Sequence, residues 1–414
     1  MPGHNLKVEA IYNRERAERH IWEVARTAGM SRRRFLKLMF STGAGLTAMS
    51  VLPAGLRIAR ADHVQVVKPT PPELFINHGS NREMRWEAMA GQGYYTSNER
   101  FFVRNHTRTP HIDPSAWRLS IEGSGVENPT QFTYDDLLAM EEMTETKFIE
   151  CAGNGRSFFE LFQGRRASGT QWKLGAIGVA EWSGVRLREL LERARVKSTA
   201  LDVMPKGLDS LNVRRPMPIE KAMGDDTLVV YGMNGEVLPQ DHGYPVRMLV
   251  PGWVGIANIK WVGSIEVSES PLYSPWNTDT YVLIGDAYPD RPVLTTQGVK
   301  SAFELPWGGQ ISAGRRKLTG RSWSGVAKIK QVEVSVDGGS TWKLATLSAR
   351  NIPKARNIPK AWVQWSIEWD AAPGQYNLQA RATDRAGNSQ PDSVPFNEQG
   401  YLYTAVVRHP ITVA

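Results

Sequence analysis

From Pro292 to the C-terminus no stretch of this chain repeats its apolar residues at helical spacing; the pattern is strand, turn, strand. Residues 329–336 alternate and meet Trp342-Lys343-Leu344 across Asp337-Gly338-Gly339-Ser340, where glycine supplies the positive φ that a tight hairpin requires. Residues 376–383, a turn at 384–388, and residues 401–407 continue the series. Alternating strands bury one face, and with no helix to cover it a second sheet is the stable partner. Residues 292–414 are therefore expected to form a β-sandwich. Asn351-Ile352-Pro353-Lys354-Ala355-Arg356 is followed by the near copy Asn357-Ile358-Pro359-Lys360-Ala361, which reads as a lengthened loop and not as a solenoid repeat.

Upstream the pattern is mixed. Residues 101–104, 117–123, 228–231, 247–250 and 260–267 read as strands, and 132–140 and 187–194 have helical spacing. No regular strand–helix–strand beat appears, which favours an α+β domain over a doubly wound sheet. A length of 414 residues suits two domains. The boundaries expected are an N-terminal extension at 1–61, a linker and arm at 62–94 marked by Pro69, Pro71 and Pro72, an α+β domain at 95–291 and the sandwich at 292–414. Fourteen Trp and 25 Pro argue against a helical bundle. The single cysteine, Cys151, excludes a disulfide framework, a c-type haem attachment and a cysteine-rich zinc site, so no haem is expected in this chain.

The net charge of +8 is not spread over the chain. Residues 1–61 hold eleven Lys and Arg against four Asp and Glu, which leaves +1 for all the rest. The folded body then has no electrostatic footprint for nucleic acid. Ser31-Arg32-Arg33-Arg34-Phe35-Leu36-Lys37 leads into an apolar run ending at Ala59-Arg60-Ala61, small residues at the spacing that signal peptidase reads. This resembles a twin-arginine export signal. A membrane anchor is the rival reading, weakened by Gly43, Gly45 and Pro53 inside a short run. A periplasmic or extracytoplasmic location is expected, with a cofactor inserted before export.

Cys151 ends a strand-like stretch and opens Ala152-Gly153-Asn154-Gly155-Arg156-Ser157. A lone cysteine in such a turn is a small packed hydrophobe, a nucleophile, or a soft metal ligand. No local cysteine–histidine signature supports the nucleophile.

Six motifs in order add to this reading: Phe102-Val103-Arg104-Asn105-His106; Cys151-Ala152-Gly153-Asn154-x-Arg156-Ser157; Gly175-Ala176-Ile177; Asp241-His242-Gly243-Tyr244-Pro245-Val246-Arg247; Asn258-x-Lys260-Trp261; and Asp337-Gly338-Gly339-x-Thr341-Trp342. From about residue 95 onward the chain resembles the sulfite oxidase family of molybdopterin enzymes. The resemblance implies molybdenum held by one pterin dithiolene and by Cys151, in an α+β domain followed by an immunoglobulin-like dimerisation domain, and a homodimer. It places Arg104, Arg156, Trp172 and Tyr281 at the substrate, and His106, Asp209, His242, Arg247 and Lys260 on the pterin and its phosphate. Guanidinium forks match a small oxyanion such as sulfite, and lysine or histidine meets phosphate.

Three positions depart from the family pattern. Gly155 stands where many relatives have a second arginine, Gln399 where an arginine often reaches the substrate, and Asn212-Val213-Arg214-Arg215-Pro216 replaces a Tyr-Gly-x-Ser run. The function implied is oxidation of sulfite to sulfate, with electrons passed to a separate, c-type cytochrome acceptor. The rivals are the molybdenum subunit of a sulfane dehydrogenase, a sulfoxide or nitrate reductase, and a non-catalytic exported binding module. His4, His20, His63, His78, His111 and His409 match no motif and read as solvated or packed.

Overall fold

The computed structural model describes residues 66–348 and 357–414. The expected export signal and the first copy of the tandem repeat lie outside the described residues.

The amino-terminal half is built from two sheets. One runs Glu236–Val237, Leu228–Met233, Ile177–Arg186, Met143–Glu150, with Arg247–Leu249 also paired to Leu228–Met233, and it is antiparallel throughout. The other runs Thr130–Thr133, Arg118–Glu122, Val262–Ser268, Asp202–Gly207, Met217–Pro218, with one parallel pair between Arg118–Glu122 and Val262–Ser268. Leu119, Ile121, Val203 and Ile265 of the second sheet share a core with Val185, Val229 and Met248 of the first. Leu228–Met233 is buried at every position, as its unbroken apolar run requires of a central strand. The helix Leu187–Arg193 adds Leu187, Leu190 and Leu191 to this core at helical spacing.

In the carboxy-terminal half a four-stranded sheet (Lys300–Phe303, Gly314–Trp323, Trp362–Ala371, Thr346–Leu347) faces a five-stranded one (Gln310–Ile311, His409–Val413, Gly374–Asp384, Ile329–Ser335, Lys343–Leu344). Phe303, Leu318, Val332, Trp365 and Leu378 fill the space between them. The chain is thus α+β with strands predominating, and its second half is the expected sandwich.

The two halves are packed and bonded together. Trp323 and Trp362 of the sandwich enter the same core as Trp86, Phe101 and Trp182. Lys300 Nζ lies 2.7 Å from Glu150 Oε1, both side chains being buried. Trp323 Nε1 donates to Glu150 Oε2 at 3.0 Å. The carboxylate that immediately precedes Cys151 is therefore held from the sandwich.

Local chemistry changes several expected elements. Residues 101–104 make only one bridge, between Val103 and Arg82, and Phe101 and Phe102 are both buried in the core that holds Trp182. The run 132–140 divides at a capping box: Thr133 Oγ1 accepts from Asp136 N and the Asp136 carboxylate accepts from Thr133 N, so Phe132 stays in strand opposite Leu119 and the helix is Tyr134–Leu138. Residues 401–407 form no strand. Their alternating burial comes from Tyr403, Ala405 and Val407 packing on the amino-terminal half, while His409–Val413 closes the sheet. The stretch 62–94 carries a hairpin, Phe75–His78 with Asn81–Met84, whose Met84 enters the core with Trp86 and Met89.

Candidate active site

The strand Met143–Glu150 delivers Cys151 to the edge of its sheet, where the Cys151 N–H donates to the Ala176 carbonyl at 2.9 Å. Asn154 fixes the turn that follows: its Oδ1 accepts from Ala176 N at 3.1 Å and its Nδ2 donates to Glu150 Oε1 at 2.9 Å. Cys151 therefore stands on a rigid turn between two cavities, and with Arg104 and Tyr281 it lines both.

The first cavity is also lined by His106, Asp209, His242, Arg247 and Lys260. Arg247 is buried and donates Nη1 to the His242 carbonyl at 2.8 Å and Nη2 to the Asn258 carbonyl at 3.2 Å; burial pulls its guanidinium down to about 9. Lys260 Nζ donates to the Asp241 carbonyl at 2.7 Å and to Asn105 Oδ1, and burial, then the Arg247 charge, holds it well below the usual lysine range. Burial, then neighbouring cations, likewise holds His106 and His242 well below the usual histidine range. Trp276 Nε1 donates to His106 Nε2 at 3.3 Å, which leaves the His106 proton on Nδ1. The Asp241 carboxylate is already engaged by the backbone N–H groups of Val67 and Lys68 and by Thr109 Oγ1.

These residues fit an anionic group. Arg104 Nη1 and His242 Nε2 are buried donors or acceptors with no partner among the described residues, and buried polar atoms are normally satisfied. Cations bonded only to carbonyls leave a surplus of positive charge, which a phosphate neutralises. Asp209, whose carboxylate accepts from Val213 N at 2.8 Å, adds an acceptor for ring N–H groups. Among the described residues no three His, Cys, Asp or Glu side chains converge on one point. A metal at Cys151 would take its other donors from a non-protein group, as a dithiolene allows.

The second cavity is lined by Arg104, Arg156, Trp172, Tyr281, Gln399 and Tyr401 among others. Arg156 Nη1 donates to the Thr170 carbonyl at 2.7 Å, and the guanidinium lies 5.3 Å from the Tyr401 ring centre. A Cβ at Gly153 would stand 2.5 Å from Arg156 Nη2, one at Gly169 2.9 Å from Nη1 and one at Gly400 2.5 Å from Cγ, so three glycines make the seat of this side chain. Trp172 is buried, edge-on to His78 and Phe102. Tyr281 stacks on Tyr401 at 5.1 Å and has φ +58°, a left-handed conformation that a tyrosine adopts only under constraint. Burial pushes the Tyr281 phenol up, against the pull of Arg104, Arg156 and Arg215.

All ten residues singled out from the sequence thus line two cavities that meet at Cys151. Sequence reasoning missed Tyr401 and Trp276, aromatic residues with no motif of their own. Gln399 is on the wall, but its Nε2 donates to the Asp279 carbonyl at 2.9 Å. Gly155 has φ +93° and packs on Tyr403, a place unsuited to a side chain.

Residues 106–276 match the family described as oxidoreductase molybdopterin binding domain, and residues 299–414 match the Mo-co oxidoreductase dimerisation domain. Sulfite oxidase of Gallus gallus is 33% identical over 360 residues, covering 81% of this chain and 77% of that one. The chain belongs to the sulfite oxidase family of molybdopterin oxidoreductases. Mitochondrial sulfite oxidase of Macaca fascicularis is also 33% identical, over 78% of this chain, which spans 62% of that longer relative. Among solved structures, the chain is similar to the sulfane dehydrogenase SoxCD from Paracoccus pantotrophus, with a TM-score of 0.69, 29% identity and coverage of 89% of this chain and 93% of that one. Tyr281, Gln399 and Tyr401 lie outside the segment matched as molybdopterin-binding, so this member of the sulfite oxidase family completes its second cavity with residues that follow it.

Proposed function

We propose that this chain is an exported molybdenum enzyme that oxidises sulfite to sulfate. The observation that carries the reading is the junction at Cys151: a cation-lined cavity suited to an anionic pterin on one side, and a pocket with Arg104 and Arg156 on the other. Cys151 would hold the metal through Sγ, and His106, Asp209, His242, Arg247 and Lys260 would hold the pterin and its phosphate. When bound, the molybdenum supplies the two-electron redox and oxygen-transfer chemistry. The chain's own side chains do the rest. Arg104 and Arg156 draw in and orient the oxyanion, Tyr281 presents a protonated phenol to it, and Trp172 excludes water from one wall. Neutral His106, with its proton on Nδ1, offers a donor to an anionic cofactor.

Sulfite, water and two one-electron acceptors give sulfate, two protons and two reduced acceptors. The acceptor is a separate c-type cytochrome in this reading, the enzyme works as a homodimer through the sandwich, and the twin-arginine signal sends it to the periplasm. Likeness to the sulfane dehydrogenase over nearly the whole chain, together with the neutral Gln399 on the pocket wall, favours a second reading in which the substrate is a bulkier, less charged sulfur species. Purified protein should contain about one molybdenum per chain, as a single cysteine ligand allows, and should turn over free sulfite faster than thiosulfate or a protein-bound persulfide. The reverse preference selects the dehydrogenase. Changing Arg32 and Arg33 to Lys should leave folded enzyme in the cytoplasm, and normal processing of that variant would remove the export reading.

A further inference from the structure

Arg215 is 1% exposed, and among the described residues it forms no salt bridge. Its Nη1 donates to the Trp276 carbonyl and its Nη2 to the Leu294 carbonyl, while Nε has no partner. Both carbonyls belong to residues bonded to the site's walls. Trp276 donates to His106 in the first cavity, and the Leu294 N–H donates to the Tyr281 carbonyl at 2.8 Å. Tyr281 and Tyr401, the stacked pair of the second cavity, are the titratable groups that Arg215 faces.

A buried cation without a counter-charge is costly. Two neutral carbonyl acceptors could be served by an uncharged donor, so stapling the segment does not explain why a guanidinium is kept. Its positive field, little screened in a buried setting, extends through the tyrosine pair into the pocket whose rim carries Arg104 and Arg156.

We propose that Arg215 is a positioning residue that sets the charge selectivity of the second cavity: a fixed buried cation behind Tyr281 that favours dianionic over monoanionic oxyanions. The inference rests on the oxyanion reading of that pocket. It acts without touching the substrate, by adding positive potential and by holding the Tyr281 segment through Leu294.

The test is direct titration of resting, molybdenum-replete enzyme with sulfate and with nitrate, for the wild type, Arg215→Gln and Arg215→Lys. A long-range charge acts on a dianion with twice the energy it has on a monoanion. If Arg215→Gln weakens sulfate binding about tenfold, nitrate should weaken only about threefold. Arg215→Lys, which keeps the charge and loses the fork, should leave the sulfate-to-nitrate ratio at the wild-type value. Equal weakening of both anions in Arg215→Gln, no weakening of either, or a Lys variant matching the Gln variant overturns the proposal in favour of a purely structural staple. Should Arg215→Gln not fold, the neutral Arg215→Met takes its place, and the sulfate-to-nitrate ratio is read in it by the same criterion. A wild type that binds neither anion overturns the oxyanion reading as well, whereas binding indifferent to Arg215 overturns this inference only.

Discussion

Arg156 Nε donates to the carbonyl oxygen of Gln399 at 2.8 Å, a bond between residues 243 positions apart in the chain. It ties the turn that carries Cys151 to the segment returning from the sandwich, where the Leu402 N–H also donates to the Ala152 carbonyl at 2.9 Å. The second cavity is therefore a joint product of both halves of the chain.

Gly400 makes that junction sterically. Its φ is +59°, and an added Cβ would stand 2.5 Å from Arg156 Cγ and 2.6 Å from Ala167 Cβ. Gly400→Ala should cost roughly 1 kcal/mol from the left-handed backbone alone and should also displace Arg156. Steady-state kinetics should show KM for sulfite raised more than kcat is lowered. An unchanged KM would mean that Arg156 does not depend on this seat.

Arg104 brings an unpartnered Nη1 to the pocket. A charge-assisted hydrogen bond contributes about 1.5–3 kcal/mol, so Arg104→Ala should raise KM for sulfite roughly ten- to a hundredfold. Gln399→Arg should lower it, because the change adds a cation to the wall at the cost of one exposed bond to Asp279. If the natural substrate is a bulkier sulfane species, Gln399→Arg should impair turnover of that substrate. KM values unmoved by either change would remove both residues from substrate binding.

The Glu150–Lys300 pair, fully buried at the junction of the halves, predicts an asymmetric mutant pair. Lys300→Met strands the Glu150 carboxylate and should destabilise the fold by roughly 3–5 kcal/mol. Adding Glu150→Gln removes the stranded charge and should recover part of the loss, only part because the amide oxygen can accept from one of Trp323 Nε1 and Asn154 Nδ2, which reach different carboxylate oxygens. Urea unfolding of the single and double variants measures it. A single variant within about 1 kcal/mol of the wild type would mean that the carboxylate takes up a proton or finds another partner.

Below neutral pH, His409 should lower stability. Burial holds it down to about 4, its Nε2 faces the Pro306 carbonyl at 3.1 Å, and its Nδ1 is buried without a partner. The unfolded chain binds this proton near pH 6.5 and the folded chain near pH 4, so the unfolded state holds more protons between the two values. Stability is then complete above about pH 6.5 and falls as pH drops toward 4, by on the order of 3 kcal/mol. His106 and His242 act in the same direction. Thermal melts from pH 7.5 to 4.5 should fall less steeply for His409→Gln than for the wild type, and parallel slopes would contradict the assignment.

The sandwich was legible in the sequence because alternation and glycine turns are local. Ile329–Ser335 and Gly374–Asp384 fall where period-two patterning puts them. The stretch 401–407 misled because its alternation is real but its partner is the other half of the chain, a long-range relation that a local period does not encode. The ligand-facing residues were legible through ordered motifs, not through chemistry visible at any single position. Tyr401 was not, because its place comes from stacking on Tyr281, which leaves no local signature, and Arg215 showed in the sequence only as part of the run that departs from the family pattern, a cation available to the pocket, and not as a buried residue. Trp276 is silent for the same reason: its indole meets His106 across 170 residues of chain.

The role proposed for Cys151 is to stand where the cofactor and substrate sites meet. Its most direct test is sulfite-dependent reduction of ferricyanide by purified, molybdenum-replete protein, run beside Cys151→Ser. A hydroxyl is a harder ligand than a thiolate, so the variant should fold, keep its pterin and lose turnover almost entirely, while the wild type reduces two ferricyanide per sulfite. A wild type with one molybdenum per chain and no sulfite-dependent reduction, or a serine variant with near-wild-type rates, would contradict it.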